Sequence, residues 1–150
     1  KLKLTSQTGS RIVNIEDFFT GPNKTVLTDE EILQEIQIPN LPPNSKGVYL
    51  KLTPRSTMDL AIVGVAVLVV SDGTSCKDIR IALGAVAPTP IRAKRAEAAV
   101  KGQKFSNELI RKAAEVASAE SSPIDDHRAS AEYRREMVKV LTKRALKQVA

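Results

Sequence analysis

YLKLTPRSTMDLAIVGVAVLVV, Tyr49 to Val70, decides the architecture. In its first half Lys51, Thr53 and Arg55 fall on one side of an extended chain, and Leu50, Leu52 and Pro54 fall on the other. Its second half is apolar almost throughout. Leu60, Ile62, Ala66, Leu68 and Val70 share one face of a strand, and Ala61, Val63, Val65, Val67 and Val69 share the other. A strand that is apolar on both sides needs cover on both. Either another protein layer meets the second face, or the chain's own N-terminal hairpin does.

Val48–Thr53 and Asp78–Val86 read as the neighbouring strands. Upstream, LKLTS and RIVNIE form a hairpin pattern joined by Gln7-Thr8-Gly9-Ser10. DFFTGPNKTVLTDEEIL breaks that pattern with turn chemistry at Gly21-Pro22-Asn23. Thr28 with Glu31 reads as a capping box and predicts one helical turn. LQEIQIP returns to alternation and stops at Pro39, and NLPPNSKG is a loop.

After Pro88 the apolar period changes to that of a helix. Thr89 as N-cap and Pro90 in first position predict a helix over Ile91–Lys101, stopped by Gly102. Ser106 caps a second helix, with Phe105 and Ile110 placed as a hydrophobic staple and Leu109, Ala113, Val116 and Ala117 as the apolar face. The loop SAESSPIDDHRAS leads to the last helix. There Tyr133, Met137, Val140, Leu141 and Leu146 form the apolar stripe, with Arg134, Arg135, Lys139 and Lys143 opposite. Strands followed by helices predict an α+β domain, an antiparallel sheet packed against three C-terminal helices.

With 150 residues, 42% hydrophobic, the chain can bury a core, and it carries no low-complexity tract. Leu60–Val70 is about half the roughly 20 residues that a membrane helix needs, so no membrane span is expected. KLKLTSQTGS lacks the apolar centre of a signal peptide. The chain starts in a strand without Met and reads as a piece of a longer polypeptide. A single cysteine, Cys76, forms no internal disulfide, which suits a reducing compartment or a fold that needs no staple. The net charge of +6 sits mostly on the last helices, where a solvated face is the ordinary explanation. Aromatics are 3% and Trp is absent, so platforms for stacking bases are scarce and no nucleic-acid partner is expected.

Few residues carry chemistry by pattern. Lys51 and Arg55 form either a cationic row for an anionic or carbonyl-rich ligand, or a solvated sheet face. Arg55 and Asp59 are spaced to pair across the turn between them, an exposed pair of under about 1 kcal/mol. Asp125-Asp126-His127 holds the only histidine and reads as a surface loop or helix cap, not a metal site. Cys76 has no second cysteine or sequence-near histidine and reads as inert. The spacing of GTSC and GAVAPTP matches neither a P-loop nor a dinucleotide fingerprint.

Four segments taken together say more: DFFTGPNKTVLTDEEIL, LKLTPRSTMDLAIVGVAV, IALGAVAPTPIRAKRAE and DDHRASAEYRREMVKVLTKRAL. In order and spacing they resemble the C-terminal part of the FAD-binding medium subunit of molybdenum hydroxylases, the family of aerobic-type carbon monoxide dehydrogenases, nicotinate dehydrogenase and xanthine dehydrogenase. The resemblance implies that residues 1–38 end a preceding FAD-binding domain and connect it to a C-terminal α+β domain over 39–150. It implies an oxidoreductase subunit, cytoplasmic, partnered by the N-terminal FAD-binding domain, a large molybdenum subunit and a small iron–sulfur subunit. Electrons would pass from the molybdenum cofactor through iron–sulfur clusters to FAD and on to an external acceptor. The family's glycine-rich segments for the FAD pyrophosphate lie upstream of Lys1, so the isolated fragment is expected to bind FAD poorly and not to be catalytic.

By the same resemblance, K-x-x-x-R-x-x-x-D-x-A is carried by Lys51, Arg55, Asp59 and Ala61. It places the Lys51 cation at the polar edge of the flavin, where it would favour the charge of the reduced ring. Leu33, ending DEEIL, would pack on the flavin, and Arg55 and Asp59 would support the strand carrying Lys51. Asn23 stands where some relatives have a basic residue. The competing reading is a non-enzymatic interaction domain that docks a partner through its basic last helix.

Overall fold

Alternation in LKLTS buries Leu2 and Leu4 on one side of β1 (Leu2–Ser6), which pairs antiparallel with β2 (Gly9–Val13). The structure, a computed structural model, describes residues 1–55 and 59–150, in two compact units, Lys1–Leu41 and Pro42–Ala150. In the first unit come α1 (Ile15–Phe18), the short hairpin of β3 (Phe19–Gly21) and β4 (Lys24–Thr25), and then β5 (Ile32–Ile36). β5 pairs with β1 on the edge opposite β2. Phe18 completes a small core with Leu2 and Leu4. The turn expected at Gly21-Pro22-Asn23 joins β3 to β4, with Asn23 at φ 57°, a conformation asparagine tolerates.

Thr28–Glu31 corrects an expectation. Glu31 Oε2 accepts from Thr28 N at 3.0 Å, as in a capping box, and Glu31 N donates to Thr28 O at 3.1 Å. No helix follows, because Ile32 already pairs with Thr5 in the sheet.

The second unit is the expected α+β layer. β6 (Ser45–Leu52), β7 (Val63–Ser71), β8 (Cys76–Gly84) and β9 (Ile91–Arg92) form one antiparallel sheet in that order. α2 (Lys94–Val100) packs on β8, α4 (Ala131–Val149) packs on β6 and β7, and α3 (Asn107–Glu120) packs against both helices. Period-two alternation puts Val63, Val65, Val67 and Val69 of β7 under the helices, beside Ile79, Ile81 and Leu83 of β8. Each such side chain contributes about 1.5–3 kcal/mol on burial. Among the described residues no helix is long and apolar enough to cross a membrane.

Local expectations shift where distant partners intervene. The strand expected from Leu60 begins at Val63; Ile62 N donates to Leu52 O at 2.8 Å and closes the connection. Ile91 and Arg92 extend the sheet as β9 instead of opening a helix at Thr89. α2 therefore starts later and its N-terminus is capped from another helix. Glu120 accepts from Arg95 N and Ala96 N, each at 3.0 Å. Gly102, at φ 79°, ends that segment as expected. Ser106 caps α3 through Leu109 N, and Phe105 packs against the core that holds Ile110. In α4 the buried face is Arg134, Val138, Leu141, Thr142, Ala145, Leu146 and Val149. Leu141 and Leu146 are buried as expected and Met137 packs at the margin, but the centre of the buried face lies about one residue, or about 100°, around from the expected stripe. Tyr133 is exposed, and Arg134, expected in solvent, is 4% exposed because three oxygen acceptors await it.

Candidate functional site

Lys51 lies on the face of the sheet that the helices leave open. In register, Lys51 stands beside Gly64 and Gly84, Tyr49 beside Ala66, Ala82 and Arg92, and Gly47 beside Leu68 and Arg80. Cross-strand partners share a face. The centre of that face is thus paved with glycine and alanine, with longer polar side chains around it. Gly64 shows why it is bare: a Cβ there would stand 2.9 Å from Tyr49 Oη and 3.3 Å from Tyr49 Cε2. Its φ is unexceptional, so the requirement is space for the tyrosine ring.

The cations of this face differ in how they are answered. Arg92 grips Glu97 through Nε–Oε1 at 2.6 Å and Nη2–Oε2 at 2.8 Å, and Glu97 Oε1 also accepts from Ile81 N. Arg80 faces Asp78 at 3.8 Å, and Lys101 binds the same carboxylate at 3.0 Å. Lys51 Nζ donates at 2.7 Å to a neutral group, the carbonyl of Asp59. Its positive charge faces no carboxylate among the described residues. An ammonium has three donors, so two remain for a ligand.

The supporting residues sit differently from the sequence expectation. β6 ends at Leu52, so Thr53 and Arg55 do not continue the row of Lys51; Thr53 Oγ1 turns to donate to the Arg55 carbonyl. Residues 56–58, within the turn that an Arg55–Asp59 pair was expected to cross, lie outside the described residues. Among those described, no ion pair joins Arg55 to Asp59. The Asp59 carboxylate accepts from Leu60 N at 2.9 Å instead, and it is the Asp59 carbonyl that meets Lys51. Leu33, on β5 of the first unit, stands opposite Leu4 and is 39% exposed.

Asp126 is a structural hub. Its carboxyl is held well below the usual range, chiefly by the Arg128 backbone N–H, then by the Arg134 side chain and the Ala129 N–H. Asp125 caps α4 through Ala131 N at 2.7 Å. Among the described residues no group of His, Cys, Asp and Glu is placed to hold a metal ion. Cys76 is a buried free thiol whose pKa is raised, mainly by burial.

Residues 48–149 match the family model described as the CO dehydrogenase flavoprotein C-terminal domain, and residues 1–41 match that of the FAD binding domain in molybdopterin dehydrogenase. The chain belongs to the CO dehydrogenase flavoprotein C-terminal domain family. It is 40% identical to the glyceraldehyde dehydrogenase medium chain of Sulfolobus acidocaldarius, over 98% of this chain and 52% of that one. It is 36% identical to the carbon monoxide dehydrogenase medium chain of Hydrogenophaga pseudoflava, over 95% of this chain and 50% of that one. The solved carbon monoxide dehydrogenase of H. pseudoflava superposes with a TM-score of 0.93 at 38% identity, covering 97% of this chain and 50% of that chain. Quinoline 2-oxidoreductase from Pseudomonas putida superposes at 0.89 with 29% identity, covering 99% and 51%. The chain spans about half the length of the relatives it matches. These relatives establish the expected fold for a member of this flavoprotein family, and the partner-docking reading of the basic last helix finds no support in them.

Alternation with the partly buried Leu50 and Leu52 puts Lys51 on the open side of the sheet, and the family resemblance alone singles it out as a candidate. Sequence reasoning missed Tyr49 and Gly64, although both follow once β6 is set in register against β7. Arg134 gave no local signal, since it stands among other charged residues at the start of α4.

Proposed function

We propose that this chain forms one wall of the FAD site in the medium subunit of a molybdenum-containing hydroxylase or dehydrogenase. The observation that carries it is Lys51: a cation answered, among the described residues, only by a neutral carbonyl, in register with glycine on both neighbouring strands. Those residues fit a planar group with a polar, electron-rich edge. Gly84, with open space where a Cβ would stand, leaves room for close approach, Gly64 seats the Tyr49 ring beside it, and the remaining ammonium donors suit carbonyl or anionic oxygens. When bound, FAD supplies electron uptake from iron–sulfur centres and onward transfer to an external acceptor.

The protein contributes position and charge. Lys51 favours negative charge at the ring edge, and the Asp59 carbonyl holds Lys51 in place. Arg55, its carbonyl tied to Thr53, orders the exit from β6. Leu33, 39% exposed on β5, keeps the flavin-packing role that the family resemblance gives it, a role within the first unit by itself. Residues 1–38 then end the FAD-binding domain and connect it to the C-terminal domain over 39–150. Molybdenum cofactor and iron–sulfur clusters fit no ligand set among the described residues and are assigned to a large and a small partner subunit. A cytoplasmic setting goes with the free Cys76 thiol.

Replacing Lys51 with Met in the full-length subunit is the test. It weakens FAD binding by about tenfold, the size of one charge-assisted hydrogen bond. It also lowers the flavin potential, with circular dichroism unchanged. Titration calorimetry and a potentiometric redox titration read both. Unaltered affinity together with unaltered potential would reduce Lys51 to surface charge.

A further inference from the structure

The buried guanidinium of Arg134 lies at the same end of the sheet as Lys51, on the helix-covered side. Its Nη1 donates to Ile62 O at 2.7 Å and to Ala85 O at 3.1 Å, and its Nη2 to Asp126 Oδ1 at 2.7 Å. Ile62 stands two residues before Gly64, and Ala85 directly follows Gly84. Gly64 and Gly84 are the residues in register with Lys51. Arg134 therefore fastens the two strand ends that make up the Lys51 row.

Two further bonds carry this hold to the ammonium. Ile62 N donates to Leu52 O, next in sequence to Lys51, so Ile62 is clamped on both its backbone groups. Asp59, three residues before that clamp, supplies the carbonyl that holds Lys51 Nζ. Ala85 is a non-glycine residue at φ 63°, and its carbonyl is one of the two that Arg134 takes. A non-glycine residue stays in that region only when its surroundings fix it. Among the described residues Arg134 also keeps a buried Nε with no partner, which packing alone does not explain.

We propose that Arg134 is a positioning residue for Lys51: it sets, through Ile62 and Ala85, where the ammonium stands on the opposite face of the sheet. The inference rests on the reading of Lys51 as a flavin-edge cation. A lysine in place of Arg134 keeps the charge but lacks the fork that reaches two carbonyls and a carboxylate together.

The test uses the full-length flavin-loaded subunit and a double-mutant cycle of Arg134→Lys with Lys51→Met. Arg134→Lys alone weakens the reduced flavin relative to the oxidised by about tenfold, which lowers a two-electron potential by about 30 mV. In the Lys51→Met background the same substitution changes the potential by less than about twofold in that ratio, because its effect runs through Lys51. Hydrogen exchange gives a readout without cofactor: the Ile62 amide exchanges faster in Arg134→Lys, while α3 keeps its protection. Should Arg134→Lys fail to fold, Asp126→Asn loosens the same guanidinium and is read in the same cycle.

A potential moved by Lys51→Met but not by Arg134→Lys overturns the inference and leaves the flavin reading standing. An Arg134→Lys shift that persists in full without Lys51 also overturns it, since Arg134 would then act on the fold at large. A Lys51→Met subunit that behaves as wild type removes the flavin reading, and this inference with it.

Discussion

The two faces of the β6–β9 sheet are built from the same strands and follow opposite rules. Under the helices every position is filled: Val63, Val65, Val67, Ile81 and Leu83 are each buried to within a few per cent. On the open face the centre is emptied to Gly64, Ala66, Ala82 and Gly84, and the large side chains Tyr49 and Lys51 stand exposed. Filling serves stability, since interiors tolerate neither gaps nor excess volume. Under the proposed function, the small side chains of the open face leave that side to the flavin, and the strand gives up packing there. One face should therefore register substitutions in folding free energy, and the other in ligand affinity.

The largest effect belongs to the filled face. Leu83→Ala, opposite Val65 and Ile91 in register, is expected to cost about 2–5 kcal/mol in urea unfolding. Ala82→Ser, one residue along and on the open face, stays within about 0.5 kcal/mol. Equal losses at the two positions would break the distinction between the faces.

Next in size is a gain. Thr142, fully buried on α4, has a hydroxyl with no partner among the described residues. Thr142→Val removes a stranded polar group at nearly constant shape and should stabilise by about 1 kcal/mol. A loss of that size instead would show that the hydroxyl is satisfied, and that the helix side of the core is less dry than its neighbours suggest.

Gly64→Ala is smaller still in stability, below about 1 kcal/mol, because the atom in the way is the tip of an exposed tyrosine that can swing aside. Its consequence belongs on the open face: Tyr49 leaves its place over Gly64, read by its ring shifts in NMR, and FAD affinity of the full-length subunit falls. If the Tyr49 resonances stay put, the ring does not depend on the missing Cβ.

The filled face was legible in the sequence and the open face only in part. Alternation through Val63–Val69 fixes which side meets the helices, so layer order and helix count follow from local pattern. The same alternation puts Lys51 on the open side, while its candidate role comes from the family resemblance and not from the local pattern. β9 was not legible, since Thr89-Pro90 reads locally as a helix start, whereas Ile91 and Arg92 answer to Leu83 and Ala82 of β8, eight and ten residues earlier. Arg134 was not legible either. Its acceptors come from Ile62, Ala85 and Asp126, and no window along α4 contains them all. Residues whose surroundings are assembled from distant segments carry no local signature.

The smallest effect concerns what a carboxylate does to a cation, the property that separates Arg92 from Lys51 on the open face. Arg11 and Glu31 in the first unit repeat the bidentate geometry of Arg92 and Glu97, at 2.6 and 2.8 Å, in a more exposed setting. The Arg11 side chain, followed by the Thr28 backbone N–H, lowers Glu31 from 4.5 to about 2. Because the folded value lies below the unfolded one, the carboxylate's contribution to stability is complete above pH 4.5. It declines as the pH falls from there and is gone once Glu31 protonates near pH 2. Carbon-detected NMR titration of Glu31 checks the value. Arg11→Met should return it most of the way to normal, since the guanidinium is the larger cause and the Thr28 N–H remains. A value still near 2 in that variant would assign the shift to the turn. The contrast drawn for Lys51 would then need a measure other than the presence of a paired carboxylate.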